Sequence, residues 1–97
     1  MTLQIITSDC LTPNIHGFFT RRGGISSGIF KGLNCGEGSS DQSQAVMTNR
    51  NLVAEAMNIA EQNLITIHQI HSASVITVTE PFAGSKPKAD ALVSNTK

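Results

Sequence analysis

Two histidines, His68 and His71, are the first residues of this sequence whose type and spacing point to chemistry. Residues 64–70 are rich in β-branched side chains and predict a strand, along which an odd spacing places the two imidazoles on opposite faces. We therefore expect at most one functional histidine, and His71 is favoured because strand ends are where open sheets place reactive groups. The alternative is a polar residue that simply ends a strand, because a lone histidine is weak evidence for a metal site.

Arg50 is the second candidate, because it interrupts the apolar side of a predicted helix. Asp41 and Gln44 have the spacing of a capping box, and apolar residues at helical spacing follow, which predicts a helix over about 41–59. Asn49 and Arg50 both point toward the buried side of that helix. A buried guanidinium needs an anionic partner or a full set of acceptors. The alternative is that Arg50 lies at the margin of the apolar stripe and extends its charged end into water.

A glycine-rich segment, residues 21–40, is the third candidate. It holds six of the eight glycines of the chain and predicts a long loop. Arg21, Arg22 and Lys31 lie in it without a nearby acidic residue, so their charges beside free backbone amides could bind an anion such as phosphate. The alternative is a solvated turn that uses glycine for its backbone angles. Neither a phosphate-binding P-loop motif nor a dinucleotide fingerprint is present.

The composition excludes several classes of protein. The 97 residues suffice for one small domain, and charged residues make up only 14%, which argues against a disordered chain. Seven basic and seven acidic residues give no net charge, so we expect neither a nucleic-acid nor a membrane partner. We find no membrane span and no signal peptide, and we expect a cytoplasmic location. Cys10 and Cys35 are expected to be reduced, buried, small apolar residues.

Short strands around one helix must position the candidate residues. The predicted strands cover residues 3–7, 15–20, 64–70, 74–80 and 89–94. The short link between the third and fourth predicts a hairpin or a sharp bend. Strands, a long loop, one helix and further strands, in that order, favour the α+β class, with a mixed β-sheet and the helix packed on it.

Five segments occur in an order that resembles the start of a known family. They are His16-Gly17-Phe18-Phe19-Thr20-Arg21-Arg22-Gly23-Gly24-Ile25-Ser26, Leu33-Asn34-Cys35-Gly36, Asn49-Arg50, Gln69-Ile70-His71 and Ala89-Asp90-Ala91-Leu92-Val93. Together they resemble the laccase-domain family, also called multicopper polyphenol oxidoreductases or YfiH-like proteins. The resemblance covers residues 15–97. One departure is Ser72, which stands where the family usually has glycine after the histidine.

The resemblance implies an α/β domain much longer than this chain, of which residues 1–97 are the N-terminal portion. It implies a zinc site of one cysteine and two histidines, with His71 as the first ligand, and an active-site arginine that Arg50 matches. Members are described as purine nucleoside phosphorylases that also deaminate adenosine, while the older family label is a copper-dependent laccase. Arg21, Arg22 and Asn34 are then candidates for binding the purine nucleoside or phosphate.

The remaining metal ligands of the family are expected after Lys97, so we expect a truncated fragment that binds zinc poorly and is inactive alone. One alternative is a non-catalytic fragment that self-associates to cover sheet edges and apolar faces. The other is a copper-dependent polyphenol oxidoreductase, which one matched histidine supports only weakly because multicopper centres are rich in histidine.

Overall fold

The computed structural model describes residues 2–82 and 84–96. These residues belong to two compact units, Met1–Glu61 and Gln62–Lys97. The described part contains one α-helix, four short strands and three single-turn 3-10 helices. The strands are β1 (Ile5–Ile6), β2 (Phe18–Phe19), β3 (Val75–Thr77) and β4 (Ala91–Val93), and the helix is α1 (Ser43–Ala56). This content confirms the predicted α+β class.

The first unit contains an antiparallel pair of strands. Ile5 of β1 lies opposite Phe19 of β2, and Ile6 lies opposite Phe18. Beyond the pair, the backbone N–H of Thr20 donates to the carbonyl oxygen of Gln4 at 3.2 Å. The predicted strands 3–7 and 15–20 are therefore present at shorter length.

Helix α1 begins later and ends earlier than the predicted span 41–59. Gln42 occupies the N-cap position and makes no side-chain capping bond. The predicted capping box is wrong, because the Asp41 carboxylate accepts a hydrogen bond from the Ser26 hydroxyl in the preceding loop instead. The side chains of α1 that become buried are Val46, Asn49, Arg50 and Ala54.

The C-terminus of α1 is closed by its own backbone. Asn58 has a left-handed φ of 58°, its N–H donates to Glu55 O at 3.0 Å, and Ile59 N–H donates to Ala54 O at 3.0 Å. This pair of bonds is a Schellman motif, which satisfies carbonyl groups of the last turn and stops the helix.

The second unit contains a parallel pair of strands. Val75 lies beside Ala91 and Thr77 beside Val93, and an isolated parallel bridge joins His68 to Lys88. The predicted strand 64–70 is thus reduced to one bridge. Of the two predicted connections to the next strand, the bend is correct and the hairpin is wrong, because both segments pair in parallel with the same later stretch of chain.

Each unit has a small apolar core. Among the described residues, the buried apolar ones are Val46 and Ala54 in the first unit and Val78 and Ala89 in the second. Several large apolar side chains remain at the surface, including Ile15 at 82% and Ile29 at 93% exposure. None of the described helices has the length and apolarity needed to cross a membrane.

Candidate functional site

The glycine-rich segment 21–40 is an ordered loop that folds back on itself. The N–H of Leu33 donates to the Arg21 carbonyl at 2.7 Å, and Ser26 and Gly32 exchange two backbone hydrogen bonds of 3.1 and 3.0 Å. Gly32 has a φ of 114°, and a Cβ at this position would collide with the Arg21 carbonyl oxygen. Only glycine therefore fits where the two arms of the loop meet.

Asn49 ties this loop to α1. Its side chain is completely buried. The Oδ1 atom accepts from the N–H of Ile25 at 2.8 Å, and Nδ2 donates to Ser26 Oγ and to the Asn34 carbonyl, both at 2.8 Å. The structure confirms that Asn49 points inward and shows why: every polar group of the amide has a partner in the loop.

Asp41 completes the network at the far side of the loop. Its carboxylate accepts from the Ser26 hydroxyl, from Asn34 Nδ2 at 3.2 Å and from the N–H of Gln42 at 2.8 Å. These bonds, the one from Ser26 above all, lower the pKa of Asp41, against a smaller opposing effect of desolvation. Asn34 also donates to Ser39 Oγ at 3.0 Å, so its amide lies within the loop network. Its proposed contact with substrate stays a prediction.

Arg50 is buried, as its place on the apolar side of α1 predicts. Its side chain is only 7% exposed, and Nη1 lies 3.6 Å from Oε1 of the more exposed Glu37. The same atom donates to the Cys35 carbonyl at 3.4 Å. A carboxylate and a carbonyl supply the compensation that a buried guanidinium requires. The alternative, a guanidinium extended into water, is wrong.

The two cysteines differ in their surroundings. Cys35 is half-buried, and burial raises the pKa of its thiol, although the nearby Arg50 charge opposes this effect. A raised pKa keeps the thiol protonated near neutrality, which is the state of an unreactive cysteine. Cys10 is exposed, so its expected burial is wrong. It lies in a 3-10 turn, Asp9–Leu11, which has no buried residue.

Three cationic side chains line a cleft in the same unit. Arg21, Arg22 and Lys31 border a volume of about 470 Å³, together with backbone of the glycine-rich loop. All three residues are exposed. The cleft has the charge and the accessibility to receive an anion from solvent.

His71 lies in a bulge of the second unit. Seven residues separate His68 from Val75, whereas only three separate their partners Lys88 and Ala91. The four extra residues cannot follow the parallel ladder, so the stretch 69–74 loops out. The premise of the prediction, a regular strand running through both histidines, is therefore wrong, and alternation along a strand does not decide which way the two rings face.

The carboxylate of Asp90 fills the bulge. Its Oδ1 atom accepts from the N–H of Ile70 at 3.1 Å and of His71 at 2.8 Å, while Oδ2 accepts from both the N–H and the hydroxyl of Ser72. The Ser72 hydroxyl contributes most to lowering the pKa of Asp90, and the three N–H groups lower it further against some desolvation. His71 is held with a left-handed φ of 59° and remains exposed.

Asp90 is the functional candidate that sequence reasoning missed. It was visible only as part of the Ala-Asp-Ala-Leu-Val segment, and nothing in its spacing points to residues 70–72. The other two histidines have different surroundings. His68 is exposed, and its backbone is bonded to Pro87 and Ala89. His16 accepts from Ser8 N–H through Nε2 at 2.8 Å, so its other nitrogen carries the proton toward a nearby carbonyl.

The donor set for a metal ion is incomplete within the described residues. Over 2–82 and 84–96, no group of three or more His, Cys, Asp or Glu side chains could hold a metal ion. His71 fits the part of one ligand, since its imidazole is exposed and its backbone is ordered. Zinc in proteins normally has four protein or solvent ligands, and among the described residues His71 could supply one of them.

Comparison with known proteins decides the family. A profile described as multi-copper polyphenol oxidoreductase laccase matches residues 15–97. The chain belongs to this laccase family. The match includes the glycine-rich loop, α1 and the bulge around Asp90, and it confirms the resemblance inferred from the sequence.

Relatives of this laccase-family chain are named for a different activity, that of a purine nucleoside phosphorylase. A Haemophilus influenzae protein, named purine nucleoside phosphorylase, is 39% identical over 95 residues, which cover 96% of this chain and 38% of that protein. A Corynebacterium glutamicum protein of the same name is 37% identical over 79 residues, or 79% of this chain and 32% of the relative. The chain therefore spans about a third of the length of these relatives.

A solved structure also resembles this member of the laccase family. The crystal structure of YlmD from Geobacillus stearothermophilus superposes with a TM-score of 0.72 at 30% identity. The superposition covers 81% of this chain and 32% of YlmD. Fold and family assignment therefore agree.

Proposed function

We propose that residues 1–97 form the N-terminal portion of a single laccase-like domain, a zinc-dependent purine nucleoside phosphorylase. In this reaction phosphate displaces the base: the bond from ribose C1′ to the base nitrogen breaks, a C1′–O bond to phosphate forms, and a proton goes to the base. The observation that carries the proposal is the exposed His71, held on an ordered bulge by Asp90. The names of the relatives support it.

His71 is the metal ligand of this proposal. An imidazole is a common zinc ligand, and a strained, well-held backbone is typical of functional positions. In this proposal the other ligands lie in the part of the relatives' length that this chain does not span. A zinc ion held by His71 with an open position would polarise a substrate group or activate water, and the latter would suit a second activity, the deamination of adenosine.

Cationic residues of the first unit bind the phosphate in this proposal. Arg21 and Arg22 line the open cleft with Lys31, where an anion gains charge-assisted hydrogen bonds. Arg50 stabilises phosphate or developing negative charge through a guanidinium that is already desolvated. Asn34 shapes the loop beside them and is the weakest of the substrate-binding candidates, because its amide is bonded within the loop.

The chain alone is proposed to bind zinc weakly and to lack activity, because one histidine cannot hold a catalytic zinc ion. We place the protein in the cytoplasm, where purine nucleosides and phosphate are both available.

The test uses the protein as its native source makes it. Inosine and phosphate are supplied, and release of hypoxanthine is followed together with the zinc content. We expect His71→Ala to abolish both zinc retention and base release. His68→Ala is the matched control, because it removes a second exposed imidazole of the same unit and should leave both unchanged. Wild-type turnover by His71→Ala would contradict the proposal that His71 is a zinc ligand of the active site. Copper in the isolated protein, with oxygen uptake on a phenol, replaces it with the polyphenol oxidoreductase activity of the family's description.

Self-association without catalysis is the second candidate. It is favoured by the exposure of large apolar side chains, with Phe18 at 58%, Ile15 at 82% and Ile29 at 93%. Sedimentation velocity over a range of concentrations tests it. A monomer at every concentration contradicts this candidate, whereas a dimer that Ile29→Ser dissociates supports it.

A further inference from the structure

One carboxylate organises the whole turn around His71. The N–H groups of three consecutive residues, Ile70, His71 and Ser72, donate to Asp90, and the Ser72 hydroxyl donates as well. Four donors from three adjacent residues thus converge on two oxygen atoms. The parallel ladder has four residues too many on this side, and the Asp90 carboxylate takes the place of the missing strand partner for the extra backbone.

The backbone of Asp90 is anchored on both sides. The backbone N–H of Asp90 donates to the Ser74 carbonyl at 3.0 Å. Ala89, directly before it, is completely buried, and β4 begins directly after it at Ala91. Asp90 therefore fixes the position of the bulge relative to the parallel strands.

We infer that Asp90 is the positioning residue for His71: its carboxylate fixes the backbone from which the exposed imidazole reaches a metal ion. This inference rests on the metal-ligand role given to His71 in the proposed function. Asp90 acts through the backbone and is not itself a ligand.

The physical reason is pre-organisation. A left-handed φ of 59° is unfavourable for a residue with a Cβ, so surrounding contacts must hold it. Without the carboxylate, three N–H groups lose their acceptor and residues 70–72 relax toward ordinary angles. The imidazole then samples many directions, and each metal-binding event must first reorder the turn.

The experiment is a zinc titration of the protein as its native source makes it, followed by NMR at the His71 ring. We compare wild type with Asp90→Ala and Asp90→Asn. Outer-shell changes typically weaken metal affinity by about 10- to 100-fold, and we expect that loss for Asp90→Ala. Asp90→Asn retains one carbonyl oxygen for the turn, so its affinity should lie between the two.

Two controls separate positioning from other effects. Asp9→Ala removes an exposed carboxylate elsewhere, so it measures the loss of general attraction for a cation. His71→Ala removes the ligand itself. Amide hydrogen exchange at residues 70–72 should accelerate in Asp90→Ala while exchange in α1 does not. If Asp90→Ala does not fold, Asp90→Asn decides, with Ser72→Ala as a milder change that removes the hydroxyl bond to Asp90 and the one that the hydroxyl accepts from Ser74 N–H.

Three outcomes would contradict either the metal role of His71 or the positioning role of Asp90. A wild-type His71 ring that zinc does not perturb up to millimolar concentration overturns the metal role, and the inference with it. A wild-type response that Asp90→Ala and Asp90→Asn both retain overturns the inference alone. Equal weakening by Asp9→Ala also overturns it, because the effect is then one of net charge.

Discussion

Removing the Asn49 side chain tests how the glycine-rich loop is held. Asn49→Ala deletes three hydrogen bonds of 2.8 Å from a completely buried amide. At a net contribution of about 1 kcal/mol each, the loss is about 3 kcal/mol of unfolding free energy. Alanine returns up to about 0.7 kcal/mol through its higher helix propensity. The net cost of about 2–3 kcal/mol is large beside the ~5–15 kcal/mol that stabilises a typical domain.

Asn51→Ala is the matched control for this prediction. Asn51 lies two residues later on α1 and is exposed, so its replacement brings the same gain in helix propensity without the loss of buried bonds. Urea unfolding, followed by circular dichroism of the helix, gives both free energies. We expect Asn51→Ala to equal or slightly exceed wild type. If the two variants differ by less than about 0.5 kcal/mol, the Asn49 network does not hold the loop.

Three further predictions concern the same unit. Hydrogen bonds lower the pKa of Asp41 in the folded state. This residue therefore stabilises the fold at pH values above its unfolded pKa of 3.8, and that stabilisation is lost as the pH falls through the folded pKa. The urea midpoint of Asp41→Asn should therefore change less between neutral and strongly acidic pH than that of wild type, and an equal change contradicts the assignment. Gly32→Ala should destabilise by more than about 1 kcal/mol in thermal unfolding, because the new Cβ meets the Arg21 carbonyl; unchanged stability refutes the close approach. Arg50→Lys, which keeps the charge but loses the planar fork, should weaken phosphate binding and raise the phosphate KM of the native-source protein more than it lowers kcat; an unchanged KM removes Arg50 from the anion site.

The inward direction of Asn49 and Arg50 was predictable because it depends on helical periodicity alone. Once residues 43–56 are helical, positions three and four apart must share a face. Two polar residues on an apolar face then indicate that buried hydrogen-bond partners are present. Their identity was not predictable, since the acceptors come from a loop whose path depends on the close approach of Gly32 to Arg21.

The capping prediction failed for a related reason. The local pattern at Asp41 favours an N-cap, yet the carboxylate accepts from Ser26, 15 residues earlier in the chain. A tertiary hydrogen bond competed with the local capping bond, and N-cap propensity takes no account of partners that are distant in sequence. The predicted strand 64–70 was shortened likewise, because a parallel partner with fewer residues leaves part of the segment without a ladder.

The sequence by itself determined the family, the class of fold and the inward face of the helix, because motif strings and helical periodicity are local properties of the chain. Tertiary structure alone decided how His71 is held. The acceptor for its turn, Asp90, lies 19 residues further along the chain and reaches it only through parallel pairing of two distant segments. Such a contact depends on register, and register is fixed by the packing of the whole unit.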